Sequence, residues 1–159
     1  MATRLVVYDR EVDGSLAAVC GAYCGACPVY RAWAAQDLPR LEALAHELGT
    51  TTDRLMCTGC RTPAAFCFGG DCEIKACAKA RGVAFCLDCA DYPCDRIRRF
   101  DAGAPYRAAM RRDAGRLHEA GVSAWLREQD ARWLCRGCGT RVAAGSDVCP
   151  RCGNALKDL

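Results

Sequence analysis

The sequence Cys135-Arg136-Gly137-Cys138 is followed, after a short gap, by Cys149-Pro150-Arg151-Cys152. The two-residue spacer of each pair allows both thiolates to face one ion. A glycine follows each pair directly and tolerates the positive φ that such a turn requires. Together the pairs predict a closed four-thiolate Zn²⁺ site in a C-terminal β zinc ribbon over residues 134–159. Two redox-active pairs, or a rubredoxin-like iron site, are the alternatives for this spacing.

Cysteine is frequent in the whole chain, with 15 among 159 residues. Such a composition indicates a disulfide or metal scaffold. Asp9 and Arg10 end the first apolar run before a signal peptide can form, and no stretch is long and apolar enough to span a membrane. We therefore expect a cytoplasmic protein without membrane contact, whose reduced thiols bind metal. The odd number of cysteines also excludes a fully paired disulfide framework.

Eleven cysteines precede the two pairs and are all candidate metal ligands. They are Cys20, Cys24, Cys27, Cys57, Cys60, Cys67, Cys72, Cys77, Cys86, Cys89 and Cys94. In sequence order they divide into a triad and two sets of four. The triad is Cys20, Cys24 and Cys27, the first set is Cys57, Cys60, Cys67 and Cys72, and the second set is Cys77, Cys86, Cys89 and Cys94. Sites in which these groups interleave are also compatible with the spacing.

The spacing of these eleven cysteines is compatible with either Zn²⁺ or a [4Fe–4S] cluster, because tetrahedral sulfur sites suit both. Irregular spacings and knuckle-like pairs favour zinc. Cys27-Pro28 is typical of ferredoxin runs, but the complete four-cysteine run is absent. Radical-SAM enzymes also use a Cys-x₃-Cys-x₂-Cys motif, but the chain lacks the repeated strand–helix units of their barrel. The triad would take a fourth ligand from His46 or His118, or keep an open position for chemistry.

The remaining pattern predicts a small α and irregular metal-stabilised domain of knuckles and short helices. A short strand is expected at Leu5–Tyr8. Helices are expected from Pro28 towards Asp37, then over 38–48, 95–100, 105–120 and 123–133, with Ser123 as an N-cap. Between 50 and 94 we expect loops and knuckles with one helical turn near 73–80. We divide the chain into a cysteine-rich metal-binding domain (1–104), a helical connector (105–133) and the ribbon (134–159).

Several pieces of the chain resemble the family known as domain of unknown function 3795, over residues 19–100. The pieces are Cys20-Gly-Ala-Tyr-Cys24-Gly-Ala-Cys27-Pro28, Cys57-Thr-Gly-Cys60, Cys72-Glu-Ile-Lys-Ala-Cys77-Ala, Gly82-Val-Ala-Phe-Cys86-Leu-Asp-Cys89 and Tyr92-Pro-Cys94. The order of these pieces carries the resemblance. In this family a spacing closer than that between Cys67 and Cys72 is expected, so Cys67 departs from the pattern. The resemblance implies a metal-binding module and no particular activity.

Between Asp95 and Arg116 the sequence is rich in arginine: Arg96, Arg98, Arg99, Arg107, Arg111, Arg112 and Arg116. A basic helical face beside zinc knuckles is typical of proteins that bind nucleic acid, and it also suits a protein partner. We therefore expect a non-enzymatic adaptor or nucleic-acid-associated module. The alternatives are an iron–sulfur redox protein with its cluster at the triad, and an enzyme or sulfur- or metal-handling protein with an open thiolate site. No other catalytic constellation is visible.

Overall fold

The computed structural model describes residues 14–63, 68 and 70–157. Its α-helices are α1 (Pro28–Ala34), α2 (Leu38–Leu48), α3 (Glu73–Ala80), α4 (Asp95–Ala102), α5 (Pro105–Arg111), α6 (Arg116–Ala120) and α7 (Val122–Arg132). Short 3₁₀ helices occur at Gly14–Leu16, Cys24–Ala26, Thr52–Leu55 and Cys86–Asp88. The chain is thus a small cysteine-rich helical domain. Within the described ranges no helix is long and apolar enough to cross a membrane.

Local sequence signals explain where α1 and α2 begin and end. Pro28 is the first residue of α1, where its missing N–H costs no hydrogen bond. The Asp37 carboxylate accepts a hydrogen bond from the Arg40 backbone N–H at 3.1 Å and caps α2. Gly49 ends α2 in the left-handed conformation, with φ of 62°. The sequence therefore predicts these two helices well.

Two clusters of buried side chains form the core. The smaller one lies between α1, α2 and the 3₁₀ helix Thr52–Leu55, around Val29, Leu41 and Leu55. The larger one contains the fully buried Trp125, together with residues from Ala17 to Cys149. Members of this larger cluster come from all three predicted segments of the chain. The division into 1–104, 105–133 and 134–159 stays a prediction.

The predicted C-terminal β zinc ribbon is wrong, since the described residues contain no β-strand. Each C-terminal cysteine pair lies in a tight loop, here called a knuckle, that one isolated antiparallel bridge closes. The bridge is Leu134↔Arg141 around Cys135 and Cys138 in the first knuckle, and Val148↔Ala155 around Cys149 and Cys152 in the second. The first pairing cannot lengthen, because α7 ends directly before it and the chain then turns so that the Ala144 N–H bonds the Ala26 carbonyl at 2.8 Å. A helix on one side and a turn on the other therefore leave room for a bridge only.

Two further differences concern the helical elements. The helix predicted over 105–120 is two helices, α5 and α6, separated by a turn at 112–115. Ser123 lies inside α7, whose N-cap is Gly121. The turn between α5 and α6 is held by Asp113, whose carboxylate pairs with Arg132 and whose carbonyl accepts the Trp125 indole N–H at 2.9 Å. These contacts are tertiary and cannot be read from local spacing. The strand predicted at Leu5–Tyr8 lies outside the described residues.

Candidate metal centre

The four C-terminal cysteines converge on one point. The sulfur atoms of Cys135, Cys138, Cys149 and Cys152 all lie within 4.8 Å of one another, as a metal ion requires of its ligands. The Cys135–Cys152 and Cys138–Cys149 sulfur pairs are each 3.6 Å apart. Four thiolates at about 2.3 Å from a tetrahedral zinc ion would be about 3.8 Å from one another. The four cysteines could therefore bind one metal ion with little rearrangement.

Hydrogen bonds already favour the thiolate form at two of these cysteines. Hydrogen bonds from the Thr140 hydroxyl and backbone N–H lower the pKa of Cys138 to about 6. The backbone N–H groups of Gly137 and Cys138 lower the pKa of Cys135. At Cys152 the Asn154 backbone N–H lowers the pKa, but hydrogen bonds with the neighbouring Cys138, Cys135 and Cys149 thiols outweigh it and raise this pKa to about 12. A bound cation would replace the remaining proton, since metal binding requires thiolates.

Close approach of the two knuckles depends on Gly137. A Cβ atom at this position would collide with the side-chain amide of Asn154 in the second knuckle. The backbone also closes each knuckle, because Cys135 N–H bonds the Thr140 carbonyl and Cys149 N–H bonds the Asn154 carbonyl, both at 2.8 Å. The site is therefore built from two tight loops that pack directly on each other.

The site is tied to the helices by a partly buried polar contact. The Arg141 guanidinium donates two hydrogen bonds to the Asp130 carboxylate of α7, at 2.8 and 2.7 Å. The Tyr23 hydroxyl donates to the same carboxylate at 3.3 Å. Cys135 and Cys149 are themselves buried in the larger core cluster. An ion bound here would therefore connect the C-terminal segment to the helical core.

Four other cysteines line a small cavity outside the C-terminal group. Cys77, Cys86, Cys89 and Cys94 line a cavity of about 40 Å³. They are the second set of four that the spacing predicts. Burial raises the pKa of Cys86 to about 11, and the neighbouring Cys94, Cys77 and Cys89 thiols add to that increase. Within the described part of the chain, only the C-terminal four sulfur atoms all lie within 4.8 Å of one another, so the sulfur atoms of this second group stand further apart.

The predicted triad does not form one compact group, since its three sulfur atoms are not all within 4.8 Å of one another. Burial raises the pKa of Cys20 to about 12, and the Cys60 and Cys86 thiols add to that increase. Burial likewise raises the pKa of Cys27 to about 11, and its neighbouring thiol is Cys57. Cys24 and Cys72 are partly buried against the larger core cluster. Ligation by Cys20, Cys24, Cys27, Cys57, Cys60 and Cys72 stays a prediction, and Cys67 lies outside the described residues.

The histidines lie away from the C-terminal group. His46 is exposed in the last turn of α2. His118 is exposed on α6, with its Nε2 atom 2.7 Å from the Asp88 carboxylate. Asp88 stands between Cys86 and Cys89, and its other oxygen accepts the Phe85 backbone N–H at 3.0 Å. His118 thus contacts the turn that carries two cysteines, without being placed among their sulfur atoms.

The arginines predicted as one basic face have different environments. Arg111 is buried and donates to the Cys20 carbonyl at 2.8 Å and to the Tyr92 hydroxyl at 2.6 Å. Arg116 pairs with both Glu119 and Glu128. Three arginines of α4 are exposed and line a cleft of about 480 Å³: Arg96, Arg98 and Arg99. Only part of the predicted basic face is therefore open to a partner.

Sequence reasoning missed Arg81 and Thr140, which interact directly with cysteine sulfur atoms. The Arg81 Nη1 atom is 3.1 Å from the Cys89 Sγ atom, and Arg81 also pairs with Asp91 at 2.6 Å. The Cys138 Sγ and Thr140 Oγ1 atoms are 3.4 Å apart. The Thr140 contact could have been anticipated, because a hydroxyl two residues after a knuckle cysteine faces the same turn. The Arg81 contact depends on how α3 packs and has no local signal.

Comparison with known proteins gives one result. The family described as "Protein of unknown function (DUF3795)" matches residues 16–99, which is just over half of the 159-residue chain. The match includes all the cysteines from Cys20 to Cys94 and ends before the C-terminal cysteines. None of the curated proteins and none of the solved structures matches the chain.

Proposed function

The chain belongs to the DUF3795 family of proteins of unknown function, and we propose that it is a zinc-dependent, non-enzymatic adaptor module. In this proposal Cys135, Cys138, Cys149 and Cys152 bind one Zn²⁺ with no position left for substrate. Such closed sites stabilise a fold and do not catalyse reactions. The observation that carries the proposal is the convergence of these four sulfur atoms to within 4.8 Å.

The position of the four cysteines supports a structural role for the ion. Two of them, Cys135 and Cys149, belong to the larger core cluster, and Arg141 joins the intervening loop to α7. Among the described residues, the C-terminal segment pairs its backbone through isolated bridges and turns and contains no helix or strand of its own. In small zinc domains the ion contributes about 10 to 16 kcal/mol of apparent binding energy, which becomes folding energy. The ion would therefore hold this segment against the helices.

The exposed arginines of α4 support the adaptor part of the proposal, with nucleic acid as the partner. Arg98 and Arg99 have more than half of their side-chain area exposed, at 62% and 64%. Both are paired with carboxylates, Asp95 and Glu73, which a phosphate backbone would have to displace. Binding of this kind weakens steeply as salt rises. Double substitution of Arg98 and Arg99 by Gln should lower affinity for a mixed-sequence single-stranded RNA, and equal binding by wild type and variant would exclude this surface.

The zinc proposal is tested by elemental analysis of protein purified without oxygen or chelators. Cys152→Ser and Cys138→Ser should each bind about one zinc fewer than wild type. Cys89→Ser is the matched control, because it removes a thiol outside this group and should leave that zinc in place. Circular dichroism should show that the helices persist in all variants. An unchanged zinc content in both C-terminal variants would refute the proposal.

A further inference from the structure

The cavity lined by Cys77, Cys86, Cys89 and Cys94 lies outside the C-terminal centre and shares none of its residues. Three separate elements supply the four thiols. Cys77 belongs to α3, Cys86 begins the 3₁₀ helix Cys86–Asp88, Cys89 follows that helix, and Cys94 is the N-cap of α4. All four cysteines line one cavity, and the Cys94, Cys77 and Cys89 thiols lie close enough to Cys86 to raise its pKa.

We propose that these four cysteines bind an iron–sulfur cluster. The cofactor class follows first from the spacing of the sulfur atoms. They are further apart than the C-terminal sulfur atoms, which already match a single tetrahedral ion. A cluster held by four cysteines contains several iron and sulfide atoms and so needs a wider arrangement of thiolates. The space of about 40 Å³ among the thiols lies where the inorganic core would be.

Backbone N–H groups beside the cavity favour the thiolate form of a cysteine that lines it. Cys94 lies at the N-terminus of the eight-residue α4, where the backbone N–H groups of Ile97 and Arg96 point to its sulfur atom. Free N–H groups and the positive end of the helix dipole both stabilise an anion at this place. Cys86 and Cys89 are held in one turn by the Asp88 side chain, which bonds both the Phe85 N–H and His118.

Positive side chains beside the cavity match an anionic cluster. Arg81 and Arg96 both contribute to its lining, and Arg81 donates a hydrogen bond to the Cys89 sulfur at 3.1 Å. The adjoining cleft adds Arg98 and Arg99, which pair with Asp95 and Glu73, and Arg81 also pairs with Asp91. Hydrogen bonds to ligand sulfur atoms and net charge are among the factors that set the potential of a cluster.

The first test is anaerobic reconstitution of the full chain with ferrous iron and sulfide, followed by desalting. Wild-type protein should retain iron and acid-labile sulfide in equal amounts and absorb visible light. A wild-type chain that retains no iron overturns the proposal. The proposal is independent of the zinc site, because zinc and iron are measured separately and depend on different cysteines.

Two reciprocal variants assign the cluster to this cavity. Cys89→Ser should lose the iron, the sulfide and the visible absorption and keep the C-terminal zinc, whereas Cys152→Ser should show the opposite pattern. Iron that is unchanged in Cys89→Ser would overturn the assignment.

Arg81→Gln provides a variant in which all four thiols remain. It should keep the cluster but shift its midpoint potential to a more negative value, because a cation that stabilises the reduced state has been removed. Arg127→Gln, at an exposed position of α7, is the control and should leave the potential unchanged. Equal potentials in wild type and Arg81→Gln would contradict a cluster beside this residue.

Discussion

Arg111 joins three parts of the chain through a single buried side chain. Its guanidinium donates to the Cys20 carbonyl, to the Tyr92 hydroxyl and to the Asp101 carboxylate. Burial lowers the pKa of Arg111, but Asp101 and Tyr92 outweigh this effect and raise it, so the side chain stays charged. Arg111 thus links the first cysteine motif, the segment before Cys94 and the end of α4 through its polar contacts.

Arg111→Met should therefore lower the free energy of unfolding by about 3 kcal/mol, since removing one partner of a buried ion pair leaves the other uncompensated. Urea denaturation of the metal-loaded protein measures this change. Arg127→Met removes an equal charge at an exposed site and should change stability by less than about 0.5 kcal/mol. Equal effects of the two substitutions would show that the Arg111 contacts contribute nothing.

At the scale of single elements, the helix boundaries that the sequence predicts well are those with a local chemical cause. Pro28, Asp37 and Gly49 act within one turn of their own helix. The boundaries between α5, α6 and α7 depend instead on Asp113 and its contacts with Trp125 and Arg132. In the part of the chain that the structure describes, the Leu134–Arg141 pairing stays a single bridge for the same reason, because α7 and the Ala144–Ala26 contact flank it.

The cap of α2 gives a stability prediction for one element. Asp37→Ala removes the carboxylate that accepts a hydrogen bond from the Arg40 backbone N–H. It should lower the free energy of unfolding by about 1 kcal/mol. The midpoint of urea denaturation measures this loss. Glu42→Ala, at an exposed position of the same helix, is the control and should have a smaller effect. An equal loss in both variants would show that the cap is not specific.

The contact between α6 and α7 predicts a pH dependence. Hydrogen bonds from Arg116 lower the pKa of Glu128, so its ionised form stabilises the folded state. This contribution is present above the pKa that Glu128 has in the unfolded chain, and it is lost as the pH falls through the folded-state value. Glu128→Gln should therefore be less stable than wild type at neutral pH and equally stable in strong acid. Thermal unfolding across this range measures the difference.

Glu42→Gln is the control for this experiment and should follow the wild-type curve at every pH. A deficit of Glu128→Gln that persists below the folded-state pKa would show that loss of charge is not its cause. A missing deficit at neutral pH would show that solvent screens the Arg116–Glu128 contact completely, as occurs in many surface ion pairs.

At the scale of the whole molecule, cysteine spacing predicts part of the candidate sites. The C-terminal four meet as their two pairs indicate, because each two-residue spacer fixes its thiols locally. The second set of four also surrounds one cavity. Cys27 and Cys57 pack in the smaller core cluster, whereas Cys20, Cys60 and Cys86 pack in the larger one, and this long-range packing is not encoded by cysteine spacing. The contacts of Arg81 and Arg111 are missed for the same reason.

Removal of metal should affect one region more than the rest. With a strong chelator, backbone N–H groups such as Cys149 and Leu156 should exchange with deuterium much faster, because the metal holds the knuckles in which they are bonded. The N–H groups of α2, which lie in the separate smaller core cluster, are the internal control and should change little. Hydrogen exchange with mass spectrometry resolves both regions. Uniform acceleration along the chain would contradict a local structural role for the C-terminal ion.

X-ray absorption at the zinc edge tests the central claim most directly, because it reports the atoms bound to the ion. The sample should be the full chain, purified without oxygen or chelators, and compared with Cys152→Ser. Coordination by four cysteine thiolates predicts four sulfur neighbours at about 2.3 Å in wild type and loss of this zinc in the variant. A zinc shell of nitrogen or oxygen atoms, or a spectrum and zinc content unchanged by Cys152→Ser, would contradict the C-terminal zinc site.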